Sequence, residues 1–193
     1  GWLSDDNVLS YFSNGTDLKG LADSRIPGIE VTTGSLGHGF SVAVGLALGA
    51  KMLKTDQKTF VLVGDGEINE GAIWEGALFS AHHDLDNFMV IVDENGFQAM
   101  GKTREIIALG SIQSKFESFG FDAITVDGHD EISINKAIKA LWKSNNSKPK
   151  ALIAKTVKGK GVDFMENNNS WHYTRLNQDS YQKAILSLNK SIK

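Results

Sequence analysis

The sequence predicts an α/β fold, a doubly wound and mostly parallel sheet with helices on both faces. Two continuous apolar runs, Phe60-Val-Leu-Val63 and Phe88-Met-Val-Ile-Val92, have the β-branched and aromatic residues of strands that are buried on both faces. Two further strand candidates lie at 121–126 and 151–157. Helical patterns separate these runs, and strands that alternate with helices at this spacing form right-handed βαβ units.

The helices are predicted from apolar periodicity and from residues that begin or end helices. Asp130 is a suitable N-cap, because its carboxylate can accept hydrogen bonds from free backbone amides in the first turn. Residues 3–28 contain turn-forming residues and no clear strand pattern. The five predicted helices span 41–54, 70–83, 112–119, 132–144 and 179–189.

Length and composition predict one globular domain over residues 1–193. Of these residues, 41% are hydrophobic and 22% charged, and the formal net charge is −3. The near balance of charge without a Lys/Arg run argues against nucleic acid as a partner. The absence of cysteine excludes disulfides and thiolate metal sites. The longest apolar stretch, Phe40–Ala50, is too short to cross a bilayer, and no secretory signal is recognisable. We therefore expect a cytoplasmic protein without a membrane partner.

Polar residues follow the two apolar strands at their carboxyl ends, where parallel sheets bind ligands. Asp65 lies between Gly64 and Gly66 after the first strand, and Asn95 follows the second. Carboxylate and carboxamide oxygens suit Mg²⁺, and Gly66 has no side chain to keep a diphosphate from its backbone amide. The same residues could form a tight turn capped by Asp65. Their pairing at neighbouring strand ends favours a magnesium and diphosphate site.

These motifs resemble those of the thiamine-diphosphate enzymes, whose signature is Gly-Asp-Gly followed by Asn after the next strand. Within that group the chain resembles transketolase, and specifically the N-terminal, diphosphate-binding half of a split transketolase. The resemblance covers nearly the whole chain. The motifs that carry it are Thr33-Gly-Ser-Leu-Gly-His-Gly39, Gly64-Asp-Gly-Glu-Ile-Asn-Glu-Gly71, Trp74-Glu75, Leu85-Asp-Asn87, Asp93-Glu-Asn95, Val126-Asp-Gly-His129, Lys155-Thr-Val-Lys-Gly-Lys-Gly161 and Trp171-His172.

The resemblance implies a cofactor, thiamine diphosphate with Mg²⁺, and a role for each residue at the strand ends. Asp65 and Asn95 would bind Mg²⁺ through their side chains, and the main-chain carbonyl of Phe97 would be a third protein ligand. Gly66 would donate its backbone N–H to the diphosphate.

Other residues are implied to contact the cofactor, the substrate or a second subunit. Gly34 and Leu36 would lie against the aminopyrimidine and thiazolium rings. Lys158 and His172 would contact the diphosphate, and His172 also the oxygens of the donor substrate. Glu70 matches a glutamate at the subunit contact that communicates with the partner's catalytic carboxylate, although an acidic residue at a helix start also complements the helix dipole.

The implied activity is transfer of a two-carbon ketol unit from a ketose phosphate to an aldose acceptor. In this family a glutamate from a separate pyrimidine-binding domain activates the cofactor, and no such domain fits beside the predicted sheet. We therefore expect the partner to be a C-terminal transketolase subunit, the assembly to be a hetero-tetramer, and the isolated chain to be inactive. The family's upstream helical region with its Ser-x-Gly-His segment is expected to be missing.

Two alternatives stay open at this point. One is another thiamine-diphosphate enzyme component, of the 2-oxoacid dehydrogenase α or deoxyxylulose-phosphate synthase type, although Lys158-Gly-Lys-Gly161 with Trp171-His172 favours transketolase. The other is a cofactor-binding or assembly module that has lost catalysis, against which the intact Asp65 and Asn95 argue.

Overall fold

The computed structural model describes residues 2–21, 23–144 and 146–191. Its main sheet has four strands, and all of them are parallel. The strands are β1 (Thr59–Gly64), β2 (Phe88–Glu94), β3 (Phe97–Gln98), β4 (Gly101–Lys102), β5 (Asp122–Asp127) and β6 (Lys150–Lys155). The four-stranded sheet has the order β1-β2-β6-β5, and β3 pairs with β4 in a separate antiparallel hairpin. The predicted parallel α/β fold is therefore confirmed.

The five predicted helices all form, with ends that differ by a few residues from the prediction. Asp130 caps α6 as expected, because its Oδ1 accepts hydrogen bonds from the amides of Ile132 (2.9 Å) and Ser133 (3.2 Å). Two short helices, α1 and α4, were not predicted. The helices are α1 (Asp5–Leu9), α2 (His38–Met52), α3 (Gly71–His82), α4 (Thr103–Ile106), α5 (Ile112–Ser118), α6 (Glu131–Lys143) and α7 (Gln178–Ser191).

Two hydrophobic cores lie on opposite faces of the sheet. The larger one joins α2, α3 and α5 to the strands through four buried phenylalanines, Phe40, Phe88, Phe116 and Phe121. The rings of Phe40 and Phe88 meet edge to face with centroids 5.3 Å apart, a geometry that aromatic pairs prefer. On the other face, α6 packs on β5 and β6 and reaches Met89 of β2. Helices on both faces are what the doubly wound prediction requires.

The prediction that the first strand is buried on both faces was wrong for β1. Phe60 is 49% exposed and Leu62 70% exposed. β1 is the outermost strand of the sheet, so α6 covers only part of its second face, where Trp142 contacts the ring of Phe60. No helix in the described part of the chain is long and apolar enough to cross a membrane.

Candidate functional site

A buried carboxylate lies at the carboxyl end of β1. Asp65 is only 2% exposed, and its Oδ2 accepts hydrogen bonds from the amide of Gly96 (2.7 Å) and the hydroxyl of Thr103 (3.2 Å). Its Oδ1 is also buried and accepts no hydrogen bond of good geometry from the residues the structure describes, although the amide of Gly66 is close enough to lower the pKa of the carboxyl group. Burial raises the pKa of Asp65, and the nearby charge of Asp93 acts in the same direction. A buried oxygen of this kind requires a partner, which can be a proton, a bound water molecule or a cation.

The amide of Asn95 is oriented by its neighbours at the end of β2. Its Nδ2 donates to Oδ2 of Asp93 (3.0 Å), and its Oδ1 accepts from the amide of Phe97 (2.9 Å). The other oxygen of Asp93 accepts from the hydroxyl of Thr156. Because an ionised carboxylate only accepts hydrogen bonds, Asp93 holds the nitrogen of Asn95 and leaves the oxygen facing away from it.

The turn after β1 is packed tightly against the β3–β4 hairpin. A Cβ atom at Gly66 would lie 2.6 Å from Cβ of Gln98, which leaves no room for a side chain. Gln98 in turn accepts a hydrogen bond from Nδ2 of Asn69 (3.1 Å). Packing is therefore a reason for glycine at this position, in addition to the predicted approach of a diphosphate.

Gly34 and Leu36 lie in the loop before α2. They line an open cavity of about 680 Å³ together with Phe60, Leu62 and Glu67. A second cavity, also about 680 Å³, is lined by Asp65 and Phe97 with Glu94, Lys102, Arg104 and Asn167. Gly34 and Leu36 thus line one cavity and Asp65 and Phe97 the other, while Asn95 lines neither of the two.

Lys158 and His172 form a pair, with Nζ 3.2 Å from Nδ1. Burial lowers the pKa of His172, and the ammonium of Lys158 lowers it further, so a neutral imidazole is favoured. The loop that carries Lys158 is held by His129, whose Nε2 accepts a hydrogen bond from the amide of Val157 (2.8 Å). Asn169 ties the turn before His172 to the β3–β4 hairpin through the carbonyl of Ala99 (3.1 Å).

Glu70 is the N-cap residue of α3, but its side chain makes no capping hydrogen bond. It is exposed and lies beside the loop 33–37, because a Cβ atom at Gly37 would be 3.0 Å from Cβ of Glu70. The side chain is therefore at the surface, next to a segment predicted to contact the cofactor.

Sequence reasoning missed several groups that support these residues. Thr103 lies far along the chain from Asp65, in a four-residue helix without a recognisable pattern. Asp93 had a usable signal, since residues two apart on a strand share a side and Asn95 was already a candidate. Among the described residues, no three His, Cys, Asp or Glu side chains form a metal-binding group. The predicted magnesium site does not need one, since it combines one carboxylate, one carboxamide and one main-chain carbonyl.

The fold and the polar groups at the strand ends define an α/β domain with a candidate ligand site at the carboxyl edge of its sheet. The family described as "Transketolase, thiamine diphosphate binding domain" matches residues 6–189. The chain belongs to this transketolase family, which confirms the resemblance seen in its motifs.

Curated relatives and solved structures agree with this assignment. The chain is 40% identical over 192 residues to an apulose-4-phosphate transketolase subunit of Phocaeicola vulgatus, covering all of this chain and 68% of that protein. It is 37% identical to a 6-deoxy-6-sulfo-D-fructose transketolase subunit of a Clostridium species, covering 91% of this chain and 64% of that protein. The crystal structure of Campylobacter jejuni transketolase superposes with a TM-score of 0.87 at 30% identity, over 95% of this chain and 30% of that one.

Proposed function

We propose that this chain is the diphosphate-binding subunit of a two-chain transketolase that uses thiamine diphosphate and Mg²⁺. Several of its relatives are named as transketolase subunits, and the chain spans 68% of the first of them. The reaction would transfer a two-carbon ketol unit between sugar phosphates in the cytoplasm. The single observation that carries the proposal is the buried, unpartnered Oδ1 of Asp65.

The donor set at the strand ends fits Mg²⁺. Asp65 supplies a carboxylate oxygen, Asn95 a carboxamide oxygen held in place by Asp93, and Phe97 a main-chain carbonyl in the same turn. Mg²⁺ binds such hard oxygen ligands and keeps other coordination positions for phosphate oxygens. A cation at Oδ1 of Asp65 would also remove the cost of leaving that oxygen buried without a partner.

The remaining residues fit the diphosphate and the sugar. Gly66 would donate its amide to a phosphate oxygen, and the ammonium of Lys158 would neutralise phosphate charge. The neutral imidazole of His172, 3.2 Å from Lys158, would accept or donate a proton at a substrate oxygen. When bound, the thiazolium of the cofactor supplies the electron sink for the ketol carbanion.

The second subunit would complete this site. Gly34 and Leu36 offer an open cavity wall for the cofactor rings, and Leu36 is 56% exposed. Glu70 is exposed beside them, where it would contact the C-terminal transketolase subunit. That subunit would supply the pyrimidine-binding domain and the activating glutamate. We propose a hetero-tetramer and an inactive isolated chain.

Calorimetric titration of the full chain with its partner subunit tests the metal site. Asp65→Asn should weaken Mg²⁺-dependent binding of thiamine diphosphate at least about a hundredfold, because it removes the anionic ligand. Asp56→Asn is the matched control, since Asp56 is exposed in the loop before β1, at the opposite end of that strand from Asp65. Equal affinity in wild type and Asp65→Asn would contradict the proposal. Binding without ketol transfer by the assembled complex would favour the inactive cofactor-binding module.

A further inference from the structure

We infer that Glu67 is a positioning residue that holds the loop 33–37 at a fixed place relative to the turn 64–66. The inference rests on the proposed function, in which the loop contacts the cofactor rings and the turn holds the diphosphate. In this proposal Glu67 contacts neither the cofactor rings nor the diphosphate. It acts by joining the two segments that do.

The two carboxylate oxygens of Glu67 bind two different segments. Oε1 accepts a hydrogen bond from the amide of Gly37 (2.9 Å), and Oε2 accepts one from the amide of Gly64 (3.2 Å). Gly37 ends the loop and is the N-cap residue of α2, whereas Gly64 is the last residue of β1. One side chain therefore bridges the turn and a loop residue that lies 30 residues before Glu67 in the sequence.

The position of β1 explains why the amide of Gly64 is available. The amide of Asp65 points to β2, where it donates to the carbonyl of Asp93 (3.1 Å). Successive amides of a strand point in opposite directions, so the amide of Gly64 points to the outer edge of the sheet. β1 is the outermost strand of the described sheet, and the Glu67 carboxylate occupies this edge position in place of a neighbouring strand.

The end of the loop 33–37 is also constrained, at Gly37. Gly37 has a φ of +80°, which favours glycine, and a Cβ atom there would lie 3.0 Å from Cβ of Glu70. The loop therefore lies against the start of α3, and Gly37 has no room for a side chain there without a shift of Glu70. A glutamine at position 67 keeps the size of the side chain but has only one acceptor oxygen, so its NH₂ group would face one of the two backbone donors.

Glu67→Gln in the full chain, assembled with its partner subunit, tests the inference with two probes. Thiamine diphosphate with Mg²⁺ requires both segments, whereas inorganic pyrophosphate with Mg²⁺ requires only the turn and the metal ligands. We expect roughly tenfold weaker binding of thiamine diphosphate, equivalent to about 1.4 kcal/mol, and less than about a twofold change for pyrophosphate. Glu131→Gln, at the exposed start of α6, is the matched control and should change neither affinity.

Hydrogen–deuterium exchange of the cofactor-free complex gives a second readout that does not depend on ligand binding. In Glu67→Gln, peptides that cover residues 33–37 should exchange faster than in wild type, while peptides from β6 should not change. Equal losses of affinity for both probes would overturn the inference, since Glu67 would then support only the turn. Unchanged exchange in the loop would overturn it as well. A wild-type complex that binds neither probe would overturn the proposed function itself, whatever the exchange data show.

Discussion

The two ends of the parallel sheet each bury a charged side chain, and they treat it differently. At the amino end, Lys150 is 1% exposed, and its ammonium donates to Oδ2 of Asp122 (3.0 Å), Oγ of Ser144 (2.8 Å) and Oδ1 of Asn146 (2.7 Å). At the carboxyl end, Asp65 is equally buried, but one of its oxygens accepts no hydrogen bond from the described residues.

This difference separates a structural charge from a ligand-binding one. An ammonium has three donors, and all three of Lys150 are used inside the protein, so nothing is left for a ligand. Asp65 keeps a free acceptor in a place that water does not reach readily, which is costly unless a cation or proton is present. Burial is the same for these two charged groups, so the free oxygen of Asp65 is what separates them. Neutral buried oxygens without a partner among the described residues occur at the amino end as well, at Thr59 and Asn87, so the distinction applies to charged groups only.

The largest expected effect is at the amino end. Asp122→Asn should lower the free energy of unfolding by about 3 kcal/mol, because it leaves the buried ammonium of Lys150 without its counter-charge. Urea unfolding followed by circular dichroism measures this loss. Lys148→Met is the control, since Lys148 is 3.9 Å from Asp122 and exposed, and it should cost less than about 1 kcal/mol. If Asp122→Asn lost less than about 1 kcal/mol, the pair of Lys150 and Asp122 would stabilise the fold no more than an exposed ion pair does. The charge at the amino end could then not be called structural.

The stability difference between wild type and Asp122→Asn should depend on pH. Burial alone would raise the pKa of Asp122, but hydrogen bonds from Asn146, Lys150 and Ser144 outweigh it and hold the pKa below its ordinary value of 3.8. A carboxyl group with a lowered pKa stabilises the fold above its unfolded pKa, and this contribution is lost as the pH falls through the folded value. The stability difference between wild type and Asp122→Asn should therefore narrow below about pH 3.8.

At the carboxyl end, we expect a smaller effect, on metal-dependent binding and not on stability. Asp93→Asn removes the pure acceptor that fixes the amide of Asn95, and loss of such a supporting group typically weakens metal binding by about tenfold or more. We expect roughly tenfold weaker Mg²⁺-dependent binding of thiamine diphosphate by calorimetry, with little change in unfolding. If Asp93→Asn lowered the free energy of unfolding as much as Asp122→Asn does, Asp93 would be a structural charge like Asp122.

The smallest effect concerns the pair of Lys158 and His172. Lys158→Met should raise the pKa of His172, because it removes the neighbouring positive charge, while burial continues to hold the pKa below its ordinary value. NMR titration of the imidazole measures the change in the isolated chain. Lys160→Met is the control, since Lys160 is close to Glu166 instead. An unchanged titration of His172 would show that the pair observed at 3.2 Å is not formed in solution.

The sequence predicted the main elements because their signals are local. Apolar runs marked β1 and β2, and Asp130 marked the start of α6 within one residue. The β3–β4 hairpin escaped prediction, because two-residue strands have no periodicity to detect. The exposure of Leu62 also escaped it, since an apolar run does not reveal whether its strand is central or outermost.

The candidate site was predictable to the extent that its residues follow strand ends. Asp65 and Asn95 were candidates for that reason, and the structure places both at the carboxyl edge of the sheet. Asn95 is oriented by residues two positions away. The hydrogen bonds to Asp65 from Gly96 and Thr103, and the one to Asp93 from Thr156, come from distant parts of the chain. Contacts of this kind depend on the tertiary packing, and no spacing in the sequence encodes them.

The packing of Gly66 against Gln98 has a consequence for how motifs are used to infer activity. A descendant of this protein that lost its cofactor would still be selected to keep glycine at this position, because any larger residue would displace the β3–β4 hairpin. The glycine would then outlast the chemistry with which it is usually associated. Oδ2 of Asp65 also has a structural role, because it accepts hydrogen bonds from Gly96 and Thr103, but asparagine could still accept these bonds with its one oxygen. Replacement of Asp65 by asparagine would therefore be the earlier sign of a subunit that has become purely structural.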